Sequence, residues 1–94
     1  MPTSLLSPDD ISTLLAAVPS WQIDNGELTR TFTLADFRAA LAFVNQVGEF
    51  AEAANHHPDI DIRWNKVRLA LVTHSAGGLT KKDFDLAARI DSLV

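Results

Sequence analysis

With 94 residues, 47% of them hydrophobic and 21% charged, the chain has the length and composition of one small globular domain and not of a disordered segment. Eight Lys and Arg stand against 12 Asp and Glu, a formal charge of −4, and an acidic balance with scattered cations argues against the phosphate backbone of a nucleic acid as the main partner. The lack of cysteine removes a disulfide framework, thiolate catalysis and any cysteine-ligated zinc or iron–sulfur site.

The chain opens with a helix start: Ser7 can cap, Pro8 takes the first helical position, and Asp10 stands where a capping-box acid belongs. Ile11, Leu14, Leu15 and Val18 follow at helical spacing until Pro19. Residues 21–23 read as a strand, Asp24-Asn25-Gly26 as a hairpin turn, and 27–32 as the returning strand. Thr33 with Asp36 repeats the capping-box pattern and predicts a long helix to about Asn55. That helix carries two apolar stripes, one of Phe37, Leu41, Val44, Gly48 and Ala51, the other of Phe43, Val47, Phe50 and Ala54. Two stripes predict cover on two sides, by the core and by a second copy of the chain, with Phe43 and Phe50 as the candidate contact. A chain of this length buries only about 60–65% of its unfolded surface, which makes self-association a useful supplement.

Ile60, Ile62 and Trp64 alternate with charged residues as in a half-buried strand, and Val67, Leu69 and Leu71 alternate in the next, which should end near His74. After the loop Ser75-Ala76-Gly77-Gly78, Thr80 and Asp83 cap a last helix with Leu86, Ile90 and Leu93 facing inward. The order α-β-β-α-β-β-α predicts an α+β fold in which three helices pack on one face of a four-stranded antiparallel sheet. No uncharged run is long enough to span a bilayer, and residues 1–10 lack the basic start of a secretory signal. The expectation is a soluble, cytoplasmic, single domain over 1–94 with no membrane or nucleic-acid partner.

The three histidines lie between positions 56 and 74, at the ends of elements. His56-His57-Pro58 closes the long helix and His74 closes the last strand, with Glu52 one helical turn before His56 and Asp83 opening the last helix. Imidazoles and carboxylates are the groups that move protons near neutral pH. Each also has a plain structural role: histidines suit a helix C-terminus, Asp83 suits a capping box, Glu52 a solvated helix face, and Trp21 and Trp64 a core. A three-histidine zinc site is a poor alternative, because neighbouring side chains on a helix diverge by about 100°.

The joint pattern Glu52-x-x-x-His56-His57-Pro58, then Trp64, His74 and Asp83 resembles the signature of the pterin-4a-carbinolamine dehydratases, a family also known as the dimerisation cofactor of a homeodomain transcription factor. Gly78-Leu79-Thr80 and Trp21 extend the resemblance over nearly the whole chain. Trp64 departs from the Tyr of many relatives. The resemblance implies a dehydratase that expels water from a 4a-hydroxy-tetrahydropterin to give the quinonoid dihydropterin. Such an enzyme recycles the cofactor of aromatic amino acid hydroxylases, and the pterin is its substrate, with no further cofactor or metal.

On that resemblance His56 and His74 transfer protons, His57 holds and polarises the pterin, and Glu52 and Asp83 orient imidazoles or favour their charged form. Pro58 and backbone groups around Asn55 and at Thr73, His74 and Ser75 would bind the pterin, and Trp21 would stack on its ring. The family also implies a homodimer or homotetramer and a functional link to a hydroxylase. The alternative is a non-catalytic pterin-binding, dimerisation or assembly factor on the same fold.

Overall fold

The computed structural model describes residues 4–94; residues 1–3, part of the stretch read for a signal, lie outside it. The elements run α1 (Pro8–Leu15), β1 (Gln22–Asp24), β2 (Glu27–Thr33), α2 (Phe37–Ala54), β3 (Asp59–Arg63), β4 (Lys66–Leu71) and α3 (Lys81–Asp91), with a 3-10 turn at His74–Ala76. This is the expected α-β-β-α-β-β-α order. The strands form one antiparallel sheet in the spatial order β1-β2-β4-β3, so the two hairpins meet through β2 and β4. No helix among the described residues is long and apolar enough to cross a membrane.

Local signals explain most boundaries. Ser7 caps α1 by accepting from the Asp10 N–H at 3.1 Å. Asn25 (φ 51) and Gly26 (φ 76) both adopt the left-handed conformation that a tight hairpin needs at its two central residues. At α2 the structure corrects the expected cap. Thr33 is the last residue of β2, paired with Lys66, and Asp36 itself is the N-cap, accepting from the Ala39 N–H at 2.8 Å. A backbone committed to a strand ladder cannot also cap a helix three residues on.

Register sorts the sheet into two faces. Leu28, Phe32, Val67, Leu69 and Leu71 face the helices and are almost wholly buried, and the pairs Leu28↔Leu71 and Phe32↔Val67 lie directly opposite. The intervening residues, such as Thr31 opposite Arg68 and Thr33 opposite Lys66, form the polar outer face. β3 is an edge strand: Ile60 stays 39% exposed. Trp64 is not part of it but occupies the β3–β4 turn at φ 53 and is 66% exposed.

α2 turns Ala40, Phe43, Val47 and Ala51 to the core, with Val44 and Phe50 packed at its margin. Phe43 therefore is not a contact surface. Its ring lies 4.7 Å from that of Phe32, and Phe50 is covered by the Arg89 guanidinium 4.6 Å above it. The large apolar side chains that α2 leaves exposed are Phe37 and Leu41. The core face runs between the two stripes because the sheet and α3 together cover an arc centred on Phe43 and Val47. α3 contributes Phe84, Leu86, Ala87 and Ile90, and its last residue, Asp91, accepts from both Trp21 Nε1 and Arg30 Nη1 at 2.7 Å. Those two bonds fasten α3 to the β1–β2 hairpin.

Candidate active site

The end of α2 decides where the histidines point. Asn55 takes the left-handed conformation at φ 50. Its N–H donates to the Glu52 carbonyl at 3.2 Å, and the His56 N–H donates to the Ala51 carbonyl at 3.0 Å. This pair of reverse bonds is the Schellman closure, for which Asn is the usual substitute for Gly. The chain doubles back there, so the helical register that would have stacked Glu52 on His56 stops one residue short. Glu52 instead bonds His57 through Oε2 and Nε2, in a pair open to solvent, with side chains 76% and 55% exposed.

His56 turns the other way. Its Nε2 lies 2.6 Å from Asp83 Oδ1, and the two side chains are 12% and 0% exposed. Asp83 is held on its second oxygen, Oδ2, by the Thr80 N–H and by the Thr73 hydroxyl, each at 2.9 Å. The Thr73 and Thr80 hydroxyls are 2.7 Å apart. A fully buried carboxylate is costly unless its lone pairs find donors, and here both oxygens do. Asp83 and Thr80 also form the capping box of α3. One carboxylate thus closes a helix N-terminus and grips a histidine from another helix.

The segment that follows β4 supplies the remaining members. The Thr73 N–H donates to the Gly78 carbonyl, and the Thr73 carbonyl accepts from Ala76, Gly77 and Gly78, so its backbone is spent on closing the loop. Gly77, at φ 79, ends the 3-10 turn in the left-handed region, where a side chain would be strained. His74 and Ser75 follow Thr73 and are exposed. Pro58 is half-buried beside His57, just before β3.

Of the residues singled out in the sequence, His56, Asp83 and Thr73 come together, His57 and Glu52 form a separate pair, and His74 and Ser75 stand next to Thr73. Among the described residues no three His, Cys, Asp or Glu side chains group in a way that could hold a metal ion. Trp21 does not join the site. It is 3% exposed within the core, edge-on to Phe32 with centroids 6.0 Å apart, and its Nε1 is committed to Asp91. A ring this buried has no open face for a ligand in this structure, which favours a structural role over the expected stacking one.

Two features escaped the sequence reading. The sequence shows Thr80 as a cap and as part of the resemblance, but not as the partner of the Thr73 hydroxyl that it is. A cavity of about 250 Å³ is lined by Ala54, His56, Lys82, Asp85, Leu86 and Arg89. The spacing of Lys82, Asp85, Leu86 and Arg89 places them on one face of α3, but nothing local announces that His56 shares that space.

The fold and the site together define a small α+β domain with a histidine–carboxylate pair at the junction of two helices and a strand, the equipment of acid–base chemistry. Residues 4–93 match the family model for pterin 4 alpha carbinolamine dehydratase. A protein of Chloroflexus aurantiacus named "putative pterin-4-alpha-carbinolamine dehydratase" is 61% identical over 89 residues, covering 95% of this chain and 96% of its own. One of Acidobacterium capsulatum with the same name is 57% identical over 89 residues, covering 95% and 97%. The crystal structure of a transcriptional coactivator/pterin dehydratase from Brucella melitensis superposes with a TM-score of 0.89 at 31% identity, covering 94% of this chain and 96% of that one. A pterin dehydratase-like protein identified as a RuBisCO assembly factor in the alpha-carboxysome shares the fold, with a TM-score of 0.63 at 23% identity over 78% of this chain and 84% of that one. The chain belongs to the pterin 4 alpha carbinolamine dehydratase family.

Proposed function

We propose that the protein dehydrates a 4a-hydroxy-tetrahydropterin to the quinonoid dihydropterin, by proton transfer through histidine side chains. The observation that carries this reading is the His56–Asp83 pair, 2.6 Å apart, with His56 next in sequence to exposed His57 and Asp83 hydrogen-bonded to Thr73, the residue before His74. The reaction asks for one group that protonates the departing 4a-hydroxyl and one that accepts a proton from a ring nitrogen. His56 and His74 take these two roles, and His57, steadied by Glu52, binds and polarises the pterin. With the Thr73 backbone closed on its own loop, the remaining ligand contacts fall to His74, Ser75, Asn55 and Pro58. The pterin is the substrate, and the chemistry needs neither metal nor redox cofactor.

In this reading the protein acts in the cytoplasm beside an aromatic amino acid hydroxylase and forms a homodimer or homotetramer. The exposed Phe37 and Leu41 of α2 are the side chains available for that contact. The full-length match to relatives of the same name supports the reading. The test is the decay of 4a-hydroxy-tetrahydropterin absorbance, generated in situ by a hydroxylase, with wild type and His74→Ala compared. Wild-type acceleration that falls roughly 10²–10⁴-fold in the variant is expected. No acceleration by folded wild type would overturn the reading in favour of an assembly or binding protein.

A further inference from the structure

The hydrogen bonds around Asp83 fix where protons sit. Oδ2 accepts from the Thr80 N–H and from the Thr73 hydroxyl. A hydroxyl has a single proton to give, and that of Thr73 goes to Asp83. In the 2.7 Å contact between the two threonine hydroxyls, Thr80 is therefore the donor and Thr73 the acceptor. The protons run one way, Thr80 to Thr73 to Asp83, and they load Oδ2 with donors. Oδ1 is left as the acceptor facing His56, so the proton on the 2.6 Å line between them belongs to Nε2. The other ring nitrogen, Nδ1, has no hydrogen-bond partner among the described residues. Among the described residues no buried side-chain nitrogen or oxygen lacks a partner, so Nδ1 is not sealed from solvent.

We propose that His56 reacts through Nδ1, and that Thr73 and Thr80 are positioning residues that hold it in this state through Asp83. The assignment rests on the dehydratase reading above. Neutral His56 carries its proton on Nε2 and offers the Nδ1 lone pair as a base; protonated, it gives up the Nδ1 proton as an acid. In either direction the proton passes between Nδ1 and the pterin, Nε2–H stays in place, and the imidazolium charge is met by Asp83. The resemblance gives Thr73 a backbone contact to the pterin and Thr80 a place before the last helix, whereas their role as hydroxyls acting on Asp83 comes only from the directed chain.

The experiment reads the tautomer directly, in a His57→Gln/His74→Gln background where His56 is the one remaining histidine. Nitrogen-15 NMR of the neutral ring should show a protonated Nε2 and a pyridine-type Nδ1. Asp83→Asn should invert it: the threonine donors hold the amide oxygen, the amide N–H₂ faces His56, and Nε2 becomes the acceptor. In the otherwise intact enzyme Asp83→Asn should lower kcat on the order of 10⁴-fold, as wrong-tautomer substitutions of an orienting carboxylate do.

Thr73→Val keeps the shape but removes the donor. It should mix the tautomers and lower kcat with little change in KM, and Thr73→Ser should restore both. A wild-type ring protonated on Nδ1 would overturn the assignment, and so would a tautomer unmoved by both Asp83→Asn and Thr73→Val. If Asp83→Asn does not fold, Thr73→Val and its serine rescue decide. Because the tautomer is read without substrate, a protein with the expected Nε2–H ring and no dehydratase activity would refute the reaction, and an active enzyme with the opposite tautomer would refute only the atom assigned.

Discussion

His56 Nε2 lies 2.6 Å from Asp83 Oδ1, across 27 residues of sequence, and this contact locks the end of α2 to the first turn of α3. Asp83 does two jobs through its two oxygens, and both depend on its complete burial. Asp83→Ala would leave the Thr80 N–H and the Thr73 hydroxyl without their acceptor in a dry interior, at about 1–3 kcal/mol for each buried group left unpaired. A loss of about 3 kcal/mol in urea unfolding is expected. A loss under 1 kcal/mol would show that water replaces the carboxylate and that the cluster is not closed.

Asn55 should tolerate only residues that accept its left-handed conformation. At φ 50, Asn55→Gly should leave stability nearly unchanged, whereas Asn55→Ala should cost about 1 kcal/mol. Any loosening of this turn moves His56 and His57 together, so Asn55→Ala should also lower turnover more than Asn55→Gly. Equal activity in the two variants would separate the turn from the site.

Trp21 gives a clean division between stability and chemistry. Trp21→Phe removes the Nε1 bond to Asp91 and should cost about 1–2 kcal/mol, with KM for the pterin unchanged. A large rise in KM in a folded variant would return the residue to the binding site.

Self-association, if it runs along α2, should respond to the exposed pair and not to the buried one. Leu41→Lys alters a side chain that is 41% exposed and should shift sedimentation toward the monomer while changing folding stability by no more than about 0.5 kcal/mol. Phe43→Ala, by contrast, should cost about 3–5 kcal/mol, as core aromatic truncations do. A wild type that sediments as a monomer at all concentrations would remove the oligomer from the proposal.

The parts of the fold that were legible in the sequence are those set by local geometry. Ser7, the Asn25-Gly26 turn and the Thr80–Asp83 box are recognised within four residues, and the alternation of Val67, Leu69 and Leu71 needs only the period of a strand. Thr33 misled because capping and strand pairing compete for the same residue, and the ladder to Lys66 prevailed. The two stripes of α2 were equally apolar on paper. That the core face fell between them, taking Ala51 from one and Phe43 and Val47 from the other, depended on where β2, β4 and α3 lay around it.

The candidate site divides along the same line. The sequence by itself determined the histidines, the two carboxylates and the element ends that carry them, because caps and turns are short-range choices of backbone and side chain. Only the tertiary structure decided the pairing. The left-handed turn at Asn55 gave Glu52 to His57 in place of His56, and the packing of α3 against α2 gave Asp83 to His56. The burial of that carboxylate then demanded donors from wherever the fold could bring them, which recruited Thr73 from the end of β4. A carboxylate in water can take any partner, whereas one sealed from water must have all of its partners built in, and that requirement belongs to the assembled core and not to any segment of the chain.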